Sequence, residues 1–582
     1  MKSLYSLKKY FLKYKTKLLL GMIFIFISNL GAIYIPLLLK DSIDSLSKTI
    51  DYQKILNYSV LILAAAIVSG FFRYLIRQTI IVVSREIEYD MRQDFWQHIQ
   101  FLPMRYFQNT STGNIMAHAT NDLNAVRMFI GPAVMYSADT LIRLMFVVGI
   151  MLSLSVSLTL YSLIPLPLLS YLVFRIGKSI HVKFTRIQEQ FAELTARAQE
   201  NFSGIRVIKS YVREQNEIAE YTKQSNDYLI KNMEMIKLQS MFQPVLFLVT
   251  GVSIIIVIWL GGLKVINGAM SLGEISAFVI YLGLLIWPVI AFGWVINIIQ
   301  QASASMKRIS NMLSEKNDIQ DTEETDASIN DITGHITLRN VSFRYSDNHP
   351  YVLKNINMDI PAGHTVAIIG ATGSGKTTLV NLIPRLYDAT EGSISIGGKD
   401  IKKIPIGVLR KNIGIVPQET FLFSDTLSNN IAYGLPQTDM DTVLKVSEIS
   451  RISRDIESFP TGYDTMVGER GITLSGGQKQ RTCLARALAV DPEILILDDS
   501  FSAVDTNTEE EILKRLKDYM KNRTSIIISH RISTVKDADR IYVLKDGRIE
   551  EEGKHEELVE KGGIYSEIHF KQLLEKELEE LG

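Results

Sequence analysis

The sequence predicts two domains of different class. The first is a membrane-embedded all-α domain of six transmembrane helices with long cytosolic extensions, and the second is an α/β domain of the P-loop type fused behind it. Three observations predict this. Six long apolar runs lie before about residue 305 and lift the mean hydropathy to +0.13, although 21% of the residues are charged. An acidic stretch nearly free of large apolar residues then interrupts the chain at 314–330. From residue 334 the pattern changes to β-rich runs alternating with helices, and one of those runs leads into GATGSGKTT at 370–378. At 582 residues the chain exceeds what one core organises, so we divide it into 1–313, a linker at 314–333, and 334–582.

The opening KSLYSLKKYFLKYKTK spaces Leu4, Leu7, Phe11 and Tyr14 on one helical face among lysines. That pattern predicts an amphipathic helix on an anionic cytosolic surface and an N-terminus inside. The spans are expected near 18–39, 55–76, 133–154, 158–173, 244–263 and 272–299. Polar, helix-forming segments of about 55 and 70 residues separate spans two from three and four from five, far beyond ordinary loop length. With the N-terminus inside, both must be cytosolic, and their lack of turn clusters predicts long helices projecting from the membrane.

Ionisable residues inside spans have two readings each. Asp139 and Arg143, four apart, fit either a translocation-cavity wall or an intrahelical pair at a helix contact. Arg73 and Arg77 fall near the cytosolic end of span two, where snorkelling is expected, and Pro288 permits a kink in span six. Lys plus Arg equals Asp plus Glu at 62 each, which gives no basic field for nucleic acid. The one cysteine, Cys483, excludes an internal disulfide and is expected to be a buried small side chain. No cleavable signal peptide is apparent.

The chemistry is concentrated in the second domain. Gly370, Gly373 and Gly375 allow a tight turn whose N–H groups, with those at Thr372, Ser374 and Thr378, face phosphate oxygens at a helix N-terminus. Lys376 is placed to reach the β- and γ-phosphates, and the Thr377 hydroxyl to ligate Mg²⁺. Tyr345 is either an adenine-stacking ring or a strand aromatic. Gln418 ends the apolar run NIGIVPQ, within reach of metal and attacking water. EILILDDS makes a buried strand ending in Asp498, a carboxylate for Mg²⁺, followed by Asp499, placed to polarise the water. SIIISH ends in His530, a donor to the γ-phosphate. Leu474, Ser475, Gly476, Gly477 and Gln478 form LSGGQ before a further helix, giving a second phosphate-facing terminus. It lies about 100 residues beyond Lys376, beyond a polar helical region, so its use is expected across an interface. One chain carries one of each half, which calls for two chains.

These residues resemble an ATP-binding cassette (ABC) transporter, an exporter-type half-transporter with one membrane domain fused to one ATPase domain, and the resemblance covers essentially the whole chain. It implies ATP and Mg²⁺ as cofactors, with Walker A at 370–377, the Q-loop Gln418, the signature at 474–478, Walker B at 494–498, a D-loop at 502–505 and the switch His530. TMVGERG at 465–471 is similar to the X-loop that meets the membrane domain, with Met466 where Glu is common. Coupling helices are implied near 110–117 and 211–215. The family's competent sites carry Glu where this chain has Asp499; a carboxylate displaced by about 1 Å can cost on the order of 100-fold in rate. ILDDSFSAVD with an intact LSGGQ is similar to the degenerate-site subunit of heterodimeric bacterial multidrug exporters. The alternative is a homodimer with two slow Asp sites. The resemblance thus implies ATP-driven export of amphipathic drugs or lipids from the cytoplasmic membrane, with a second half-transporter, the lipid bilayer and an amphipathic small molecule as partners and no nucleic acid. An ATP-gated channel or a membrane regulator that uses the cassette as a switch is the rival class, distinguished by uncoupled conductance or absence of vectorial transport.

Overall fold

The computed structural model describes residues 2–48, 51–468 and 474–581. They form two compact units, Met1–Gln100 with Thr112–Glu315, and Phe101–Ser111 with Lys316–Gly582.

In the first unit six helices are long and apolar enough to cross a membrane: Lys15–Ser47, Tyr52–Gln100, Thr112–Leu154, Val156–Ser203, Glu214–Ile266 and Leu272–Leu313. The second runs 49 residues, about 74 Å at 1.5 Å per residue, where a hydrocarbon core is only about 30 Å thick. The polar segments are therefore continuations of the spans, as the absence of turn residues predicted. Short π-turns interrupt two of these helices, at Arg77–Ile81, His118–Asp122 and Phe129–Ala133. In the first, Thr79 Oγ1 donates back to the carbonyls of Leu75 (2.9 Å) and Ile76 (3.1 Å), occupying acceptors that the widened turn leaves loose. The apolar core of the spans centres on Val147, Met151, Val257, Phe278 and Tyr281, whose hydroxyl donates to the Ile33 carbonyl at 2.9 Å.

The N-terminal segment departs from expectation. It forms a 3-10 turn, Lys2–Leu7, and a short helix, Lys8–Lys13. Leu7 and Tyr10 are buried against Ile87, Met91 and Met306 in a core of the cytosolic extensions, with Leu4, Phe11 and Tyr14 packed at its edge. The lysines are matched by carboxylates of the second helix: Lys9 to Asp94, Lys13 to Asp90 and Lys17 to Glu86, each at 2.6 Å. Both rows step by four residues, so two helices running side by side satisfy the pattern that an anionic lipid surface was expected to satisfy.

Among the described residues the second unit contains ten strands: β1 (Ile336–Phe343), β2 (Leu353–Ile360), β3 (Thr365–Ile369), β4 (Glu391–Ile396), β5 (Lys399–Asp400), β6 (Ile413–Val416), β7 (Ile494–Asp498), β8 (Thr524–Ile528), β9 (Arg540–Lys545) and β10 (Arg548–Gly553). A four-stranded antiparallel sheet has the order β2-β1-β4-β5, and a six-stranded sheet the order β10-β9-β3-β8-β7-β6, parallel except for β10. The central strands are apolar throughout because both faces are covered: Ala367, Leu495, Leu497 and Ile527 enter one core, while Val366, Ile368, Ile494, Ile496, Ile526 and Ile528 enter the other. The acidic stretch, expected to be a solvated linker, lies against this unit. Ile329 and Ile332 are buried, the Asp326 N–H donates to the Lys403 carbonyl (2.9 Å), and Asp321 accepts from the Ile406 N–H (2.9 Å). A few isoleucines are enough to dock a segment whose other residues are polar.

Burial, more than charge, should hold the N-terminal segment. Leu7→Ala is expected to cost about 2–5 kcal/mol and expose the first residues to limited proteolysis, while Lys17→Ala, which opens one exposed rung, leaves the digestion pattern unchanged. Release by Lys17→Ala alone would reverse that ranking.

Candidate functional site

Four parallel strands of the larger sheet end along one edge, and each delivers part of one cleft. From β3 the chain enters the P-loop, from β6 it reaches Gln418, β7 ends at Asp498 and Asp499, and two residues past β8 stands His530. The register fixes their relation: Asp498 pairs with Ile528, and the Asp499 N–H donates to the Ile528 carbonyl at 2.9 Å. A cavity of about 280 Å³ results, lined by Thr372, Gly373, Gly375, Lys376, Thr377, Thr378, Gln418, Asp498, Asp499 and His530 together with Val352. Gly370 and Ser374 line an adjoining cavity of about 560 Å³.

Close packing explains Gly370 and Gly375, whereas Gly373, with open space where a Cβ would go, takes a left-handed backbone at φ +83°. A Cβ on Gly370 would sit 2.2 Å from the Leu544 carbonyl oxygen, and Gly375, at φ +103°, would press a Cβ to 2.9 Å from Leu353. Gly375 also caps the helix Lys376–Leu382 without any side-chain hydrogen bond to its first turn. Lys376 is buried and donates to the carbonyls of Gly370 (2.8 Å) and Ala371 (2.9 Å). Ser374 Oγ is buried with no hydrogen-bond partner. A cradle too tight for a Cβ, a bare helix terminus and an orphaned hydroxyl fit a bound phosphate chain.

Burial also sets the charges. It pushes the Asp498 carboxyl up from its ordinary value, against the hydrogen bond from Thr377 and with help from neighbouring Asp499. Burial pushes the Lys376 ammonium down, opposed by Asp499 and Asp498. Among the described residues no group of three or more His, Cys, Asp or Glu is placed to hold a metal. A single buried carboxylate beside a threonine hydroxyl instead suits Mg²⁺, which keeps waters and substrate phosphates as its other ligands. Asp499 takes a left-handed backbone, φ +51°, and its carboxylate lies 3.5 Å from His530 Nε2.

Two groups of expected site residues lie elsewhere. Tyr345 does not line the cavity; its hydroxyl is 2.9 Å from Thr378 Oγ1, and its ring meets Phe343 and Tyr387 edge to face. None of Leu474, Ser475, Gly476, Gly477 and Gln478 lines either cavity. Ser475 caps the helix Gly476–Ala489 in a box with Gln478, whose amide also donates to Asp455 at 2.9 Å. Gly476 and Gly477 pack on Ala503, where a Cβ on Gly477 would lie 2.9 Å from the carbonyl oxygen. Of the segment expected to be an X-loop, residues 469–471 lie outside the described residues, while Met466 bridges to Thr426. Cys483 is buried, and its thiol is raised by that burial.

Other positioning groups went unread in the sequence. Gln480 accepts from the Ala503 N–H (3.0 Å) and donates to Ser502 Oγ (2.8 Å), tying the signature helix to the loop after β7. Gln572 donates to the His530 carbonyl (2.5 Å) and accepts from the Ile532 N–H (2.9 Å), while buried Glu509 pairs with Arg531. Gln480 lies two residues beyond LSGGQ; nothing local marks Gln572, which acts 42 residues away from its partner.

Comparison with known proteins decides the family. Residues 18–289 match the ABC transporter transmembrane region and 353–502 match the ABC transporter family. The chain is 39% identical over 489 residues to YheI of Bacillus subtilis, a probable multidrug resistance ABC transporter ATP-binding/permease protein, covering 83% of each. The chain is an ABC exporter half-transporter. This exporter is also 34% identical over 535 residues to the ATP-dependent lipid A-core flippase of Desulfotalea psychrophila, covering 92% of the exporter and 93% of the flippase. It superposes with TM-score 0.79, at 26% identity over 96% of its length and 99% of the other chain, on the solved structure of a bacterial Atm1-family ABC exporter with ATP bound. The exporter thus binds ATP, couples its hydrolysis to transport, spans the membrane several times with its ATPase domain in the cytosol, and works as a dimer.

Because burial raises Asp498, the unfolded chain gives up that proton at a lower pH than the folded one does. The empty exporter therefore gains stability as pH falls toward the ordinary carboxylate value and carries a cost near neutrality. Asp498→Asn should raise the thermal midpoint of the nucleotide-free protein at pH 7 by about 2–4 °C, the shift that about 1 kcal/mol gives a domain of this size, and should abolish the Mg²⁺-dependent part of stabilisation by ATP. An unchanged midpoint would contradict the burial cost.

Proposed function

We propose that this chain is the degenerate-site subunit of a heterodimeric exporter that moves amphipathic small molecules, drugs or lipids, out of the cytosolic side of the membrane. The observation that carries the proposal is Asp499. Its carboxylate stands at the mouth of the cleft beside His530 but on a side chain one methylene shorter than Glu. A general base must come within hydrogen-bond reach of its water, and a shortfall of about 1 Å is worth on the order of 100-fold. Multidrug and lipid exporters among the relatives support the substrate class.

In this reading residues 1–313 form the pathway, 314–333 join it to the motor, and 334–582 form the motor. The P-loop N–H groups, the Ser374 hydroxyl and Lys376 hold the phosphates; Thr377, Gln418 and Asp498 would hold Mg²⁺, which supplies charge neutralisation at the β- and γ-phosphates. Asp499 orients water, His530 steadies the γ-phosphate, and Tyr345 swings from Thr378 to the base. LSGGQ completes a site on the second subunit. Closure of the two motors, passed through segments near 110–117 and 211–215, turns the cavity outward, and hydrolysis resets it.

An intact LSGGQ equally serves a homodimer, and the same assay separates the two. Steady-state ATP turnover of the purified chain in lipid should be nearly absent alone and appear with a second half-transporter carrying Glu. Asp499→Glu should raise turnover only if two copies pair. Substantial turnover by a wild-type particle of two identical chains would overturn the heterodimer.

A further inference from the structure

We infer that Gln572, on the last helix, holds His530 in register for the γ-phosphate, so that the C-terminal helix belongs to the device that tells ATP from ADP. The inference rests on the reading above, in which His530 steadies the γ-phosphate, and adds a positioning residue to it.

His530 stands where the chain has left one regular element and not yet entered the next. Strand β8 ends at Ile528, and a short helix, Ile532–Val535, follows. The Ile532 N–H opens that helix and has no acceptor inside it, and Arg531 at the N-cap position supplies no side-chain bond. The His530 ring is exposed, with Asp499 at 3.5 Å. A ring so placed is only as well aimed as the backbone that carries it.

One side chain supplies what this loop lacks. Gln572 Nε2 donates to the His530 carbonyl at 2.5 Å, and Gln572 Oε1 accepts from the Ile532 N–H at 2.9 Å. A primary amide offers a donor and an acceptor in one plane, so it spans Arg531 as a neighbouring strand would. Neither a carboxylate nor an apolar chain can make both bonds. The Arg531 side chain is held separately by buried Glu509, which also accepts from Thr534 Oγ1 at 2.5 Å. Two helices, Thr506–Met520 and Ile564–Leu581, thus grip the segment that carries His530.

The helix that carries Gln572 is itself anchored. Buried Glu551 of β10 accepts from the N–H groups of Ile564 (2.7 Å) and Tyr565 (3.1 Å), two donors that a helix start leaves open. Tyr565 is fully buried, its hydroxyl lies 2.8 Å from His555 Nδ1, and Ile564 and Ile568 pack on the same core. Gln572 follows Tyr565 by about two helical turns and so lies on the same face. It does not line the cleft around Lys376, so its route to the phosphate runs through His530. The P-loop grips phosphates that ATP and ADP share, whereas His530 meets the one they do not. Loosening His530 therefore weakens ATP and spares ADP.

The test is equilibrium binding to the purified full chain in lipid nanodiscs with Mg²⁺, comparing ADP with the non-hydrolysable β,γ-imido analogue of ATP. Gln572→Met keeps the length of the side chain and loses both bonds. It should weaken the analogue about 5-fold or more, the scale of one hydrogen bond, and leave ADP within about 2-fold. Gln572→Ala, a second way to remove the amide, should do the same. His530→Ala should weaken the analogue at least as much, and adding Gln572→Met to it should change nothing further, because the two act on one contact. Equal losses for ADP and the analogue in both Gln572 variants would make this residue a brace for the whole domain and overturn the inference. Unchanged affinity for the analogue in both, or a further loss in the double variant, would overturn it too, with the role of His530 left standing. A His530→Ala protein that keeps the full preference for the triphosphate would remove the reading of His530 and this inference with it.

Discussion

Parallel pairing of β3, β6, β7 and β8 is the constraint on which the catalytic half depends. Parallel neighbours finish on the same edge, so the P-loop, Gln418, the two aspartates and His530 arrive together although as many as 160 positions separate Gly370 from His530. Such a sheet must be covered on both faces, and two cores cover it, while the polar groups collect along the edge where these strands end. The charges at that edge are held at some cost, as the opposite displacements of Asp498 and Lys376 by burial indicate.

Around that edge a set of hydrogen bonds holds loops that have no ladder of their own. Gln572 grips the backbone on both sides of Arg531, Glu509 holds the Arg531 side chain, and Gln480 joins the signature helix to the loop following Asp499. These contacts link the cleft to LSGGQ through the backbone of residues 498–505, although the signature residues do not line the cleft. A change at the phosphate therefore has a continuous covalent and hydrogen-bonded route to the surface that would face a second subunit.

Much of this architecture was legible in the sequence because it rests on local pattern. Apolar length marks a span, absence of turn residues carries a helix through the polar segments, and three or four apolar residues in a row between breakers make a strand buried on both faces. What escaped depends on partners distant in the chain. Lysines at positions 9, 13 and 17 are matched by lipid phosphates or by carboxylates at the same period, and only the fold shows Asp94, Asp90 and Glu86 opposite them. Ile329 and Ile332 look like stray apolar residues in an acidic run until the sheet they cover is present. Arg73 and Arg77 read as interfacial, and the structure places both, exposed, along a cavity that residues of the third helix also line. Tyr345 has a strand context that serves either a core or a ligand, and the structure engages its hydroxyl with Thr378 while its ring stays in an aromatic cluster.

We propose an asymmetry in which this chain's signature completes a working site on a second subunit, whereas its own P-loop belongs to a site that turns over slowly. Turnover of the co-purified two-subunit particle measures it most directly, comparing Gly477→Asp with Lys376→Ala in this chain alone. Gly477 packs on Ala503 and does not line the chain's own cavity, whereas Lys376 does. Gly477→Asp should remove most of the turnover and Lys376→Ala far less. Equal losses, or a larger loss from Lys376→Ala, would contradict it.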